Sequence, residues 1–410
     1  MTIYVSKYGN DLNIGTELYP FLTIQKAIDM SQSPDAIIID DGIYNERIKL
    51  FDKHDISIKS KNPRLSIIDG SGIGSELSQG ERQWGNGLVD IKNSSTINIT
   101  DLKIQNSLLC GVVIENSEFI NIKNNTTYNT YSSAIQAHFS NNIIVDNNEC
   151  ELGANAPNDL VQEIISFHAV DGYEILNNYV HDGGPSILGG EGICVKAGSS
   201  NGKIHYNTIK NLTTYTNKLG IYMDAWDVHQ ENVQVHNNLC KNTGWGIGLS
   251  GEIGGTLNSI DVHNNILVDS IVGILIPAYN IDGGDAHLNN IDIHNNTINN
   301  VSYVGISIGS YPKTLINNLT IRDNLFASSN GDSIIWTNRD RHTNVVVDHN
   351  YYDDLVPQNQ DSYYGTNYVV GGDPLFIDPT NDNFRLQTNS PAVGYGAYPY
   401  PMLCSFTYSQ

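Results

Sequence analysis

The amino-acid sequence predicts an all-β fold, a single-stranded parallel β-helix (a solenoid) with a short N-terminal capping helix. Three observations carry that reading. The motif I-x-[aliphatic]-x-N-N recurs with its second Asn or equivalent at Asn125, Asn148, Asn178, Asn207, Asn238, Asn265, Asn296, Asn324 and Asn350, at gaps of 23, 30, 29, 31, 27, 31, 28 and 26 residues. Between these positions lies a second short run that opens on a small residue and alternates, as in Gly192-Ile-Cys-Val-Lys196, Gly220-Ile-Tyr-Met-Asp224 and Gly246-Ile-Gly-Leu-Ser250, which is the period of a strand buried on one face. Finally, 410 residues exceed what one compact core usually fills, and a repeat stack escapes that limit.

Each element follows from this frame. Leu22–Gln32 has helical spacing and covers the first rung, so residues 1–50 form the N-terminal cap. Residues 51–355 supply the rungs. Inward positions form aliphatic ladders, one through Ile135, Ile165, Ile193, Ile221, Ile247, Ile274 and Ile306, its neighbour through Ala137, Phe167, Val195, Met223, Leu249, Ile276 and Ile308. The Asn positions form a third ladder, in which carboxamides tolerate a left-handed turn and bond rung to rung. The sequons at Asn98, Asn211 and Asn318 belong to the same turn chemistry. Gly372–Asp378, Phe384–Leu386 and Ser390–Ala392 break the period, so residues 356–410 form the closing cap of a single domain spanning 1–410.

The charge narrows the partners. Against 44 Asp+Glu stand 22 Lys+Arg, a net charge of −22. Nucleic acid and anionic membrane surfaces both demand a basic patch that this composition lacks. No stretch approaches the ~18 apolar residues of a spanning helix, and Met1–Ser6 does not read as a signal peptide. The compartment is open, with extracellular and virion-associated settings both compatible. Five cysteines, with no metal-ligand spacing, read as free, packed thiols.

The start (YVSKYGND…GTELYPFLTIQKAID), the repeats and the ending (GDPLFIDP…NFRL…SPAVGYG) resemble the right-handed parallel β-helix proteins of the pectate-lyase-like superfamily over essentially the whole chain. That resemblance implies the fold; the superfamily holds lyases, hydrolases, epimerases, tailspikes and adhesins.

With rungs aligned on the opening small residue, the fifth place runs Glu115, His138, His168, Lys196, Asp224, Ser250, Pro277, Gly309. Two imidazoles, an amine and a carboxylate thus lie on consecutive rungs. Two places further on come Trp226, Glu252, Tyr279 and Tyr311, and with Tyr222 and Trp245 the aromatics supply faces on which sugar rings stack. His138, Tyr222, Trp226, Trp245 and Tyr279 are the substrate-binding candidates, for a polysaccharide or oligosaccharide. The plain alternative is a surface ion pair of Lys196 with Asp224, worth about 0–1 kcal/mol.

Two chemistries fit. In β-elimination on a uronic acid, Lys196 is the base, given burial or a neighbouring cation to lower its pKa. Ca2+ neutralises the uronate, held by Glu163 and Glu191 with Asp227 as a further carboxylate. Gly189-Gly-Glu-Gly-Ile-Cys-Val-Lys196 resembles the GGE…K segment of the chondroitinase B and alginate lyase family, in which a glutamate five residues before the lysine binds calcium and the lysine is the base. Glu163-Ile-Ile-Ser-Phe-His168 repeats the pattern with His168 in the lysine place. A lysine after (D/E)G is also similar to the base of the family-nine pectate lyases. That chondroitinase B family carries an arginine on the next rung, where this chain has Asp224; an aspartate there raises the lysine pKa and repels a uronate.

In glycoside hydrolysis, Asp224 and Glu252 are the two carboxylates. One rung and two places apart, their backbones are separated by roughly 8 Å, which leaves retaining and inverting geometries open. Gly220-Ile-Tyr-Met-Asp224 resembles the GIY-x-D segment of some β-helix glycosidases. The lyase stands first among these readings and the hydrolase second, beside a non-catalytic glycan-binding, tailspike or adhesin role. Monomer and homotrimer are both open.

Overall fold

The computed structural model describes residues 1–156, 162–183, 189–212, 217–279, 284–328, 330–355 and 360–397. The chain divides into two compact units, Met1–Gly192 and Ile193–Ser405. In each, one rung supplies a strand to each of three parallel sheets. Taking Cys110–Glu115, Glu118–Lys123 and Thr126–Thr130 as the type rung, the sheets are called I, II and III in that order.

In the first unit, sheet I stacks Ile48–Phe51, Gly87–Lys92, Cys110–Glu115, Ile135–His138 and Ile165–His168. Ile135 lies beside Ile165 and Ala137 beside Phe167 in register, all fully buried. In the second unit, sheet I stacks Ile193–Lys196, Leu219–Asp224, Trp245–Ser250, Val272–Ile276, Val304–Ile308 and Asp332–Trp336. There Ile193, Ile221, Ile247, Ile274 and Ile306 pair in unbroken register, as do Val195, Met223 and Leu249. Each inward Ile contributes about 1.5–3 kcal/mol by leaving water, and a register slip would turn every one of them outward.

The small opening residue has a steric cause. A Cβ on Gly246 would sit 2.5 Å from the carbonyl oxygen of Gly273, one on Gly273 the same distance from that of Gly305, and one on Gly305 the same from that of Ser333. The corner packs backbone on backbone.

The Asn ladder is present, with a division of labour the sequence did not show. The second Asn of each pair is buried and accepts the N–H of its counterpart one rung before: Asn125 to Asn148 and Asn148 to Asn178 at 2.9 Å, then Asn207 through Asn238, Asn265, Asn296 and Asn324 to Asn350 at 2.9–3.0 Å. The left-handed backbone falls instead to the preceding residue, such as Asn124 (φ 58°), Asn147 (φ 54°), Asn237 (φ 56°) and Asn264 (φ 55°). Asn and Asp tolerate that region better than most residues. The sequon carboxamides Asn98, Asn211 and Asn318 are also engaged, bonding Asn121, Asn242 and Asn290 respectively.

The capping helix is shorter than expected, Ile24–Met30, because Thr23 caps its N-terminus through Lys26 N–H. Its Ile24, Ala27 and Ile28 are buried. A second short helix, Gln79–Gln83, opens on a Ser78/Glu81 capping box. At the other end, Phe376–Asp378 and Asn383–Leu386 form an antiparallel pair. Rather than sitting only on the last rung, this ending runs back along sheet III: Phe376, Phe384 and Ala397 pack on Leu239, Ile266 and Val268, and Lys210 and Lys241 meet Asp382 at 2.6 and 2.5 Å.

Among the described residues no helix is long and apolar enough to cross a membrane. Cys110, Cys150, Cys194 and Cys240 are buried free thiols, and burial pushes those of Cys110 and Cys150 up to about 12; Cys404 lies outside the described residues.

Candidate active site

In the second unit, the predicted column is in register, with Lys196 beside Asp224 and Asp224 beside Ser250. Asp224 ends its strand, and the chain turns at once through Trp226, which takes a left-handed φ of 58°. The Trp226 carbonyl accepts the N–H groups of Ile253 (3.1 Å) and Gly255 (2.8 Å) one rung on. That approach is close enough that a Cβ on Gly255 would lie 2.5 Å from the same oxygen. The pair of turns places Glu252 against Asp224. Oδ1 of Asp224 accepts the backbone N–H of Trp226 at 2.8 Å and that of Glu252 at 3.1 Å.

Both acids are withdrawn from water, with relative exposures of 1% for Asp224 and 7% for Glu252. Burial pushes the Asp224 carboxyl up to about 7, and the Glu252 charge adds to it. The two amides and the Lys196 charge pull the other way without cancelling the rise. A carboxylic acid that still holds its proton near neutral pH is able to donate it to a leaving group.

Glu252 is held by Tyr222, whose hydroxyl donates to Oε1 at 2.5 Å. Burial, Asp224 and Glu252 push the Tyr222 phenol well above its ordinary range, so it acts as a donor. Its ring packs into a cluster with Cys194, Leu219, Leu275 and Ile335. Tyr222 is therefore not a face open to a sugar, and its hydroxyl is committed to Glu252. Tyr279 meets Tyr222 edge-on at 5.6 Å and Trp245 at 5.3 Å, both half-buried against that cluster. Its hydroxyl donates to the Asn217 carbonyl at 3.0 Å. Trp226 is the exposed ring beside the acids, at 40%. The Tyr311 phenol is raised by burial and by the charge of Glu252. Asp227 is exposed on the turn after Trp226.

The other predicted residues lie in the first unit. Glu115, His138 and His168 are in register there. His138 is buried rather than outward in solvent, because Trp84 covers it at 4.2 Å between ring centroids and reaches His168 at 5.4 Å. Phe139 adds a further edge contact to His168 at 5.4 Å. Trp84 and Phe139 were missed by sequence reasoning; the long stretch 70–86 between two strands was the available signal. Glu163 and Glu191 are buried at the same turn of adjacent rungs, where Ile164 N–H donates to the Glu191 carbonyl at 2.8 Å and Ser166 Oγ donates to Glu163 Oε2 at 2.6 Å. Among the described residues, the trio of potential ligands whose atoms all lie within 4.8 Å of one another is a different one, Glu149, Glu151 and His181.

Residues 86–282 match the family model described as a right handed beta helix region. No curated protein matches the chain by sequence. Among solved structures, the chain is similar to XylC in complex with xylose (13% identity, 92% of this chain and 87% of that one, TM-score 0.55). It is likewise similar to the GH136 lacto-N-biosidase of Eubacterium ramulus (14% identity, 87% and 68%, TM-score 0.55). A third is the PL6 family alginate lyase AlyGC (14% identity, 98% of this chain but 57% of that one, TM-score 0.55). At such identities the likeness speaks to fold. Sheets, register and family model agree on the fold, a right-handed parallel β-helix.

Proposed function

We propose that this protein is a carbohydrate-active enzyme and, of the two chemistries, a glycoside hydrolase working through Asp224 and Glu252. The observation that carries the reading is the contact between the two acids: one buried carboxyl raised to about 7, fixed by the backbone of the other, which is itself held by a tyrosine. Asp224 as general acid protonates the glycosidic oxygen as the C–O bond breaks. Glu252, as carboxylate, either attacks the anomeric carbon or takes a proton from the attacking water. Trp226 offers the exposed face for a sugar ring. A net charge of −22 repels polyanions and is indifferent to a neutral glycan.

The lyase reading is less well supported. On the next rung Lys196 has an acid in register beside it, Asp224, and not the neighbouring cation that would favour a neutral amine. Under that reading Ca2+ would be held by Glu163 and Glu191, whose buried oxygens suit a hard cation, and would neutralise the uronate. The similar structures include a lacto-N-biosidase and an alginate lyase, so they do not choose between the two.

The test is an assay on a panel of neutral and uronate-containing glycans, with calcium and then with EDTA. New reducing ends without the ultraviolet absorbance of an unsaturated sugar, lost in Asp224→Asn and kept in Lys196→Ala, are expected. Absorbing products that vanish in Lys196→Ala would overturn the assignment in favour of a lyase. Retention on glycan without cleavage would mark a binding module.

A further inference from the structure

We propose that the outer face of sheet III in the first unit holds a divalent transition-metal ion of the Zn2+ class, ligated by Glu149, Glu151 and His181. Glu149 and Glu151 are alternate residues of the strand Glu149–Glu151, so they project from the same face, while Cys150 between them is buried. On the next rung, His181 lies in register with Glu151, and Tyr179 with Glu149. One ligand atom from each of the three lies within 4.8 Å of the others.

The pieces around them resemble the supports of a metal ligand set. His181 Nδ1–H donates to Asp182 Oδ2 at 2.6 Å, which fixes the tautomer and presents the Nε2 lone pair. Tyr179 stacks on the imidazole at 4.0 Å and 23° and sets its plane. Thr126 Oγ1 donates to Glu149 Oε2 at 3.2 Å, leaving Oε1 towards the histidine. Nε2 of His181 has no hydrogen-bond partner although the side chain is 7% exposed. It stands 3.6 Å from Glu149 Oε1, too far for a hydrogen bond. Two ligands at about 2.0–2.2 Å from a tetrahedral ion are about 3.4 Å apart, so the gap has the size of a bridging metal.

An imidazole with two carboxylates suits Zn2+ and its neighbours rather than Ca2+, which collects six or more oxygens. The half-exposed Glu151 leaves the outer side of the site to water. Because the ligands come from successive rungs, the ion clamps them together, so the expected role is stability of the first unit. The competing account is an imidazolium held between Glu149 and Asp182. An imidazolium would bring Nε2–H within hydrogen-bond distance of Glu149, whereas the gap is 3.6 Å and Nε2 has no hydrogen-bond partner.

The test is calorimetric titration of the chelator-treated full chain with ZnCl2 at neutral pH, with thermal melts and Co2+ absorption. Expected are one tight Zn2+ per chain, a raised melting temperature, and intense Co2+ d–d bands. All three signals should be lost in His181→Ala and in Glu151→Gln. Asp182→Asn should cost ~10–100-fold in affinity as an outer support. Glu151→Gln is near-isosteric and half-exposed, and an unchanged metal-free melt shows that it folds. No zinc uptake by the wild-type chain, or tight uptake that survives in Glu151→Gln, would overturn the proposal.

Discussion

The backbone N–H of Glu252 donates to Oδ1 of Asp224 at 3.1 Å, so the peptide of one acid fixes the carboxyl of the other. This bond crosses from one rung to the next. It explains how residues 28 positions apart in sequence are held against one another.

Asp224→Asn keeps an oxygen for both amide donors and removes the ionisation. The expected loss of glycan cleavage is at least ~100-fold in kcat, within the range for general acids. The folded carboxyl, at about 7, binds its proton more tightly than the unfolded one at 3.8. The unfolded state therefore loses protons first, and this group costs stability as pH rises from about 4 towards 7. The variant should melt higher than wild type at pH 8 and nearly level with it at pH 4, as scanning calorimetry would show. A lower melting temperature at pH 8 would contradict this account.

Tyr222→Phe leaves the ring in its cluster and deletes the donor to Glu252. Stability should fall by about 1–3 kcal/mol. If Glu252 works as proposed, kcat in steady-state kinetics should drop ~10-fold or more with KM little moved, because the hydroxyl would position that carboxylate rather than the substrate. A selective rise in KM would instead place Tyr222 against the sugar.

Gly246→Ala should destabilise by roughly 1–3 kcal/mol, since its Cβ would press on the Gly273 carbonyl at 2.5 Å. Gly72→Ala is not an equivalent control despite its open surroundings, because Gly72 has a φ of +82°. The control is Gly80→Ala in the short helix, where nothing lies within 4 Å. Denaturant melts of the two variants compare them directly.

Asn265→Ala strips the ladder of a carboxamide that accepts from Asn238 and donates to the Val235 carbonyl and to Asn296. Buried partners left without a bond cost about 1–3 kcal/mol each. A loss of several kcal/mol is expected by urea denaturation, and a loss below about 1 kcal/mol would show that the ladder is dispensable.

On sheet II of the second unit, His236, His263 and His294 stack at 4.9 Å between centroids, with Asp261 beside them. Burial works against charge on both His294 and Asp261, but the attraction between them across 3.2 Å wins, raising the histidine and lowering the aspartate. The aspartate's contribution is present above its unfolded pKa of ~3.9 and is lost in acid. The histidine's is present below ~6.5 and is lost as pH rises through its raised value. Asp261→Asn should therefore lower the melting temperature most near pH 5 and least near pH 8, and a flat difference would refute the coupling.

Much of this molecule was legible in sequence because a repeat writes the same physics many times. The Ile ladders, the Asn ladder and the column through Lys196, Asp224 and Ser250 all follow from one alignment of short runs. The left-handed residue of each Asn pair was misassigned, since both carboxamides suit either role and only the buried bond to the next rung separates them. Tyr222 read as a sugar platform because alternation places it outward. Other segments then cover that outward face, which alternation within one strand does not report.

What the sequence determined by itself was the period, and with it the fold, the inward faces and the identity of the acids that lie one rung apart. The tertiary structure decided which of those acids leave water and which side chains bind them. It also brought together sets such as Glu149, Glu151 and His181, whose spacing follows no local motif. The reason is physical: register follows from local alternation and turn chemistry, whereas the proton affinity of a carboxyl depends on burial and on neighbours delivered by turns distant in sequence.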